Sequence, residues 1–335
     1  MVLPIPRVEC RACGVVRQVK IPFADPRRSD TNAFGRYALE PGRRMTIRDV
    51  AEHLGIGWDV IKDIQKRDLA RRDSKPKLEH LRHIAIDEIA AAKGHRYLTV
   101  VLGLDSGAVV FVGDGKGAEA LQPSWRRLRG TEAKIEAVAM DMSPAYREAV
   151  STHPPKAEIV FDRFHVMKLF NEKLSELRRA LHREATDVMR KEVLKGTRWL
   201  LLKAAENLDE EKDEKKKLEE ALALNKSLAV AYDLKEDLRQ FGEQPGKKFG
   251  TLSLDGWIKR AEASWIKMLQ QMAKSLASHR SGLLAYDDAR ITSGPMEGTN
   301  DKIETMKRLA YGFRDREFFE LKRLAIHETK YELVG

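Results

Sequence analysis

Cysteine is almost absent from this chain. Two residues of 335, Cys10 and Cys13, carry a thiol, and a disulfide framework is excluded. Long apolar runs are also missing: no stretch of about 18 apolar residues occurs, so no membrane-spanning helix is expected. The opening residues, MVLPIPRVECRACG, lack the apolar segment of a signal peptide, and the expected location is the cytoplasm. The run GDGKG at 113–117 lacks the spacing of either glycine-rich phosphate motif and reads as a turn. Nothing therefore points to a nucleotide cofactor.

What the chain has is length and positive charge. At 335 residues it is long enough for roughly two or three domains and a sizeable core. The net charge is +10 and the pI about 9.4, which points to a polyanionic partner, most often nucleic acid. Residues 1–80 hold 17 Lys and Arg against 11 Asp and Glu. The acidic run Glu206–Glu220 reads as a solvated helix face.

The N-terminal segment carries a helical pattern. Ile47, Val50, Ala51 and Leu54 fall on one face, Gly55 breaks the helix, and Ile56, Val60, Ile61 and Ile64 resume on a second. This is the pattern of a helix-turn-helix, whose second helix enters the major groove of DNA; an ordinary helical hairpin has the same pattern. In the DNA reading Trp58 and Lys62 face the bases, and Lys66 and Arg67 lie near phosphates. Ahead of it, Cys10 and Cys13 form one Cys-x-x-Cys pair, half of a tetrahedral zinc site.

Beyond a polar linker the period changes. RHIAIDEIA, HRYLTVVLGL and GAVVFVGDG read as three meandering strands, joined in part by the hairpin signal DSG. A helix over 117–129, a strand ending at Asp141, a helix opened by Ser143 and Pro144, and a strand ending at Asp162 follow. Next is a long helix whose stripe is Phe164, Met167, Phe170, Leu174, Leu177 and Leu181. Three antiparallel strands and then two crossover strands make a ribonuclease-H-like arrangement. In that sheet the strands of Asp87 and Asp141 are neighbours. The mostly helical residues at about 170–285 read as an insertion.

Phosphodiester chemistry with two magnesium ions, or manganese in their place, needs carboxylates that converge from separate elements. Asp87 and Asp141 meet that need on the sheet, and Glu297, just inside a helix behind Pro295, can supply the third. Lys302, Lys307 and Arg308 further along this helix would hold phosphates. Spacing alone does not select this triple among 51 acidic residues, and the other reading of Glu297 is an acid that stabilises its helix N-terminus through the macrodipole.

A resemblance selects it. IDEIAAAKGHRYLTVV, VAMDMSPAYREAV, AEIVFDRFHVMKL, GTRWLLLKAAENL and SGPMEGTNDKIETMKRLAYGFRDREFF, in order along almost the whole chain, resemble the ISL-three family of bacterial insertion-sequence transposases. The resemblance implies a DDE-type enzyme with Asp87, Asp141 and Glu297 as its metal-binding acids. It also makes Asp162 and His165 look like an Asp-x-x-His signature supporting those ligands; ordering a strand-helix junction is the other reading of that pair.

The expected organisation is a zinc-ribbon remnant at 1–25, a helix-turn-helix domain at 30–75, and a ribonuclease-H-like α/β domain at 80–335 with its helical insertion. Double-stranded DNA, as element ends and as target, is the expected partner, the nucleoid the expected setting, and self-association follows from the resemblance. The chain departs from the family in three places. Only the second Cys-x-x-Cys pair of the family's zinc-binding region is present, as though the chain began late. Gly103 stands where an acid is often found, and Glu304 lies in a helix usually more basic. These departures keep a rival reading open, a truncated, non-catalytic repressor that occupies the DNA ends.

Overall fold

The computed structural model describes residues 6–19, 21–25, 28–92, 96–154 and 156–327. They form two compact units, one of 1–76 with 301–335 and the other of 77–300.

The first unit opens with a hairpin, β1 (Arg7–Glu9) and β2 (Val16–Gln18), paired antiparallel. Helix α1 (Asn32–Leu39) follows, then α2 (Ile47–Leu54) and α3 (Trp58–Asp73). Thr46 and Asp49 form a reciprocal capping box that starts α2, and Gly55 ends it at φ 66°, a conformation that side chains with a Cβ resist. Val50 and Ala51 of α2 are buried with Ile61 and Ile64 of α3 and Ala38 of α1. The helical pair and its glycine turn thus form where the apolar spacing places them.

The second unit is built on a five-stranded sheet. Its strands are β3 (His83–Ala92), β4 (Arg96–Gly103), β5 (Ala108–Asp114), β6 (Ala137–Met140) and β7 (Glu158–Phe161). The spatial order is β5-β4-β3-β6-β7. Strands β3, β4 and β5 pair antiparallel, while β6 and β7 run parallel to β3. Ile84, Ala85 and Ile86 of β3, and all four residues of β6, are buried, as expected for strands covered on both faces. The helix α4 (Ala118–Arg129) joins β5 to β6, and α5 (Pro144–Thr152) joins β6 to β7. The strand order is the one the sequence reading requires; His95, read there as opening the second strand, lies outside the described residues.

Helices then dominate: α6 (Arg163–Glu184), α7 (Val188–Gly196), α8 (Glu214–Ala223), α9 (Lys226–Phe241), α10 (Lys247–Ala263), α11 (Lys267–Ser278), α12 (Arg280–Leu284) and α13 (Tyr286–Ala289). Phe170 and Leu174 of α6 sit in one continuous core with Trp257 and the sheet residues Ile86 and Met140. Trp257 Nε1 donates to the Leu234 carbonyl at 2.7 Å, as a buried indole requires. Phe164 departs from its expected place in the core stripe: at the first turn of α6 it is exposed.

Helix α14 (Gly294–Leu309) leads into α15 (Arg316–Leu324). The described residues from 301 to 327 group with the N-terminal segment rather than with the sheet on which the sequence reading carried them. The physical reason is apolar: Phe318, Leu321 and Ala325 bury themselves against Leu69. At Gly103, where the family often has an acid, a Cβ would lie 2.8 Å from Leu81 Cδ1 and 3.1 Å from Ser106 Oγ, so these side chains would have to shift to admit one.

Candidate active site and nucleic-acid interface

Strand register places three acids in one row. Ile86 of β3 pairs with Met140 of β6, and Met140 pairs with Phe161 of β7. The next residue in each case is an aspartate: Asp87 within β3, and Asp141 and Asp162 just past the ends of β6 and β7. Adjacent strands stand about 4.8 Å apart, so the three aspartates start from neighbouring backbone positions across β3, β6 and β7. The apolar residues before them hold the row rigid.

Local hydrogen bonds orient each acid. Asp87 Oδ1 accepts the Glu88 N–H at 2.8 Å. Asp141 Oδ1 accepts the Ser143 N–H at 2.9 Å, shaping the turn into α5. Asp162 caps α6 by accepting the Phe164 N–H at 2.8 Å. Burial raises the Asp87 pKa, and the charge of Asp141 adds to the rise. Burial also acts on Asp162, but His165, Ser293 and the Phe164 N–H outweigh it and hold that carboxyl below its ordinary range.

Helix α14 delivers the fourth acid. Ser293 Oγ donates to Asp162 Oδ2 just before the helix starts. Asn300 Nδ2 donates to Asp87 Oδ2 at 2.7 Å. Glu297 lies between them, its pKa raised by burial and then by Asp162. One ligand atom each from Asp162, His165 and Glu297 lies within 4.8 Å of the others. His165 Nδ1 is buried without a hydrogen-bond partner, 3.8 Å from Asp162 Oδ2. That carboxylate, and the charges of Asp87 and Asp141, raise the His165 pKa. The donor set is hard oxygen with one imidazole, which fits a divalent cation such as magnesium or manganese.

Of the predicted acids, Asp87 and Asp141 occupy adjacent positions beside β3 and β6, and Asn300 ties Asp87 to the helix of Glu297; among the described residues, however, Glu297 groups within 4.8 Å with Asp162 and His165, not with Asp87 and Asp141. Ser293 and Asn300 are missed by sequence reasoning. Their helical spacing from Glu297 was a usable signal; their partners on distant strands were not visible.

The cations expected to meet DNA have partners within the first unit. Lys62 lies 2.8 Å from Asp315, and Lys66 lies 3.2 Å from Asp315 and 2.7 Å from Glu317. Arg67 pairs with Asp30 at 2.8 Å and with Asp63 at 3.1 Å. The hydrogen bond from Lys62 holds the Asp315 carboxyl far below its ordinary range. Trp58 is 60% exposed at the start of α3. On α14, Lys302 and Arg308 are exposed and Lys307 pairs with Glu304 at 2.7 Å. Cys10 and Cys13 are free and exposed between β1 and β2. The N–H groups of Cys13 and Ala12 lower the Cys10 pKa.

Comparison with known proteins identifies the family of the chain. A family model described as Transposase, of the DDE and ISL-three type, matches residues 84–323. The transposase for insertion sequence element IS1001 of Bordetella parapertussis is 30% identical over 327 residues, 96% of this chain and 80% of that protein. The transposase for insertion sequence element IS1557 of Mycobacterium tuberculosis is 30% identical over 334 residues, 92% of this chain and 74% of that protein. Among solved structures, the Drosophila P element transposase strand transfer complex aligns over 91% of this chain and 94% of that chain, at 12% identity and a TM-score of 0.48, a likeness too loose to bear on chemistry. With its match spanning the sheet, the helical region and the acid-bearing helix, the chain belongs to the ISL-three family of insertion-sequence transposases.

Proposed function

We propose that this transposase binds the terminal inverted repeats of its element, cleaves the DNA at those ends and joins the freed 3′-hydroxyls to target DNA. The observation that carries the proposal is the in-register placement of Asp87 beside Asp141, with the helix of Glu297 hydrogen-bonded to Asp87 through Asn300. In this reading the sheet is ribonuclease-H-like, and Asp87, Asp141 and Glu297 would hold two divalent ions, magnesium or manganese. A metal pair so held supplies a Lewis acid for the attacking oxygen and another for the leaving one. The part of the residues themselves is to present oriented carboxylates to such ions, with Asp87 and Asp141 fixed by the Glu88 and Ser143 N–H groups. His165 and Asp162 support that set from the α6 side.

DNA recognition is assigned to the first unit, read as a helix-turn-helix with α3 in the major groove. Trp58 and Lys62 would address bases, and Lys66 and Arg67 phosphates, exchanging Asp315 and Asp30 for the nucleic acid. Lys302, Lys307 and Arg308 would hold phosphates along α14. Active complexes pair two ends, so the chain is expected to act as a homo-oligomer.

The test is a cleavage and strand-joining assay on DNA carrying the element ends, with magnesium. Nicked ends and joined products are expected. Tight binding with no cleavage at any magnesium or manganese concentration would overturn the proposal in favour of a non-catalytic repressor.

A further inference from the structure

We propose that Asn300 and Ser293 are positioning residues that pin Glu297 against the aspartate row, with Asn300 also fixing the orientation of Asp87. The proposal rests on the reading of Asp87 and Glu297 as metal ligands. Ser293 and Asn300 bracket Glu297 by one helical turn on either side. Glu297 and Asn300, three apart, stand on one helix face, and Ser293 lies just ahead of the helix with its hydroxyl on Asp162. Ser293 donates to Asp162, after β7, and Asn300 donates to Asp87, on β3. Strand β6, with Asp141, lies between these two. The helix is thus tied at both ends of the row it faces. One tie would leave it free to pivot; two fix both its height and its rotation. Ligand placement is that sensitive, since a displacement of about 1 Å in an active site can lower rate roughly 100-fold.

The chemistry of the amide suits this role. Asp87 Oδ1 is already held by the Glu88 N–H, so the Asn300 amide group takes the remaining oxygen and stops the carboxylate from rotating. Asn300 is neutral. A lysine or arginine in its place would cancel the charge that attracts a cation, whereas the amide orients the carboxylate and leaves its charge intact. The Asn300 Oδ1 is buried with no hydrogen-bond donor. An unsatisfied buried acceptor costs about 1–3 kcal/mol, and such groups persist where a site uses them.

The experiment is a manganese titration of the full chain, reading free Mn²⁺ by electron paramagnetic resonance, beside the magnesium dependence of end cleavage. Asn300→Ala and Ser293→Ala are each expected to raise the Mn²⁺ dissociation constant and the magnesium requirement by about tenfold or more, with DNA binding unchanged. Asn300→Gln, which keeps the amide, should recover part of the loss. Asn300→Leu, which keeps volume and helix preference, carries the same test if the alanine variant fails to fold. Wild-type Mn²⁺ affinity and magnesium dependence in folded Asn300→Ala or Asn300→Leu would overturn the proposal, as would equal loss in Asn300→Gln and Asn300→Leu. The underlying reading fails separately: it falls if Asp87→Ala and Glu297→Ala bind Mn²⁺ as wild type does.

Discussion

Asp87 carries a cost in the metal-free protein. Its pKa and that of Glu297 are raised by burial, so both acids release their protons above the ordinary carboxylate range near pH 4. A raised carboxyl pKa means that folding favours the neutral form, and the stability of the metal-free chain rises as pH falls through those pKa values. Asp87→Asn, which removes the charge and keeps the shape, is therefore expected to raise the melting temperature of the metal-free protein while abolishing cleavage. A lower melting temperature would show that Asp87 is stabilised by its hydrogen bonds more than it is strained by burial. For activity, Asp87→Ala, Asp141→Ala and Glu297→Ala should each reduce cleavage by more than about 100-fold, beyond the range typical of residues that only support ligands, with repeat binding retained in a gel-shift assay. Full activity in Glu297→Ala would shift the third ligand to Asp162, which the register places in the same row. That Asp87 and Asp141 belong to neighbouring strands was legible from strand order, while the resemblance singled out these two acids. The alignment of Asp162 was not, because register is set by hydrogen bonds between strands that the sequence does not spell out.

Between elements, the decisive contact of the first unit is α15 on α3. Asp315 caps α15 through the Phe318 N–H and also receives Lys62 and Lys66. Asp315→Asn keeps a good capping residue but removes the counter-charge of two lysines. DNA affinity is expected to increase and to fall more steeply with salt, while the melting temperature falls, because the lysine ion pairs of Asp315 are lost. Asp315→Ala should cost about 1 kcal/mol more through the lost cap. Unchanged salt dependence in Asp315→Asn would mean that Lys62 and Lys66 do not reach phosphates. The Asp315 pKa is strongly lowered, so its stabilisation is present above the ordinary aspartate pKa and is lost only as pH falls through the lowered value. Acidification to about pH 4 should leave this contact in place. Helices α2 and α3 were legible from their apolar spacing and Gly55. The ion pairs were not, since Lys66 and Asp315 stand 249 positions apart.

For the molecule as a whole, zinc and self-association are testable together. Cys10 and Cys13 supply two thiolates, and a four-thiolate site needs two more. A monomer is expected to lose zinc to a mild chelator. About half a zinc per chain, lost together with dimerisation in Cys10→Ser, would indicate a site shared by two copies; about one retained zinc per chain would refute the half-site. Some properties were determined by the sequence alone. The order of strands and helices, the helical region after Asp162 and the basic N-terminal segment all follow from local periodicity and charge, which each segment carries by itself. Tertiary structure decided what distant residues do for one another. The row of Asp87, Asp141 and Asp162, the pins from Ser293 and Asn300, and the return of α15 to Leu69 and Lys62 join residues far apart in the chain. Packing of buried apolar surface brings them together, and that surface is non-directional; which polar groups then meet is settled only when the chain has closed around its core.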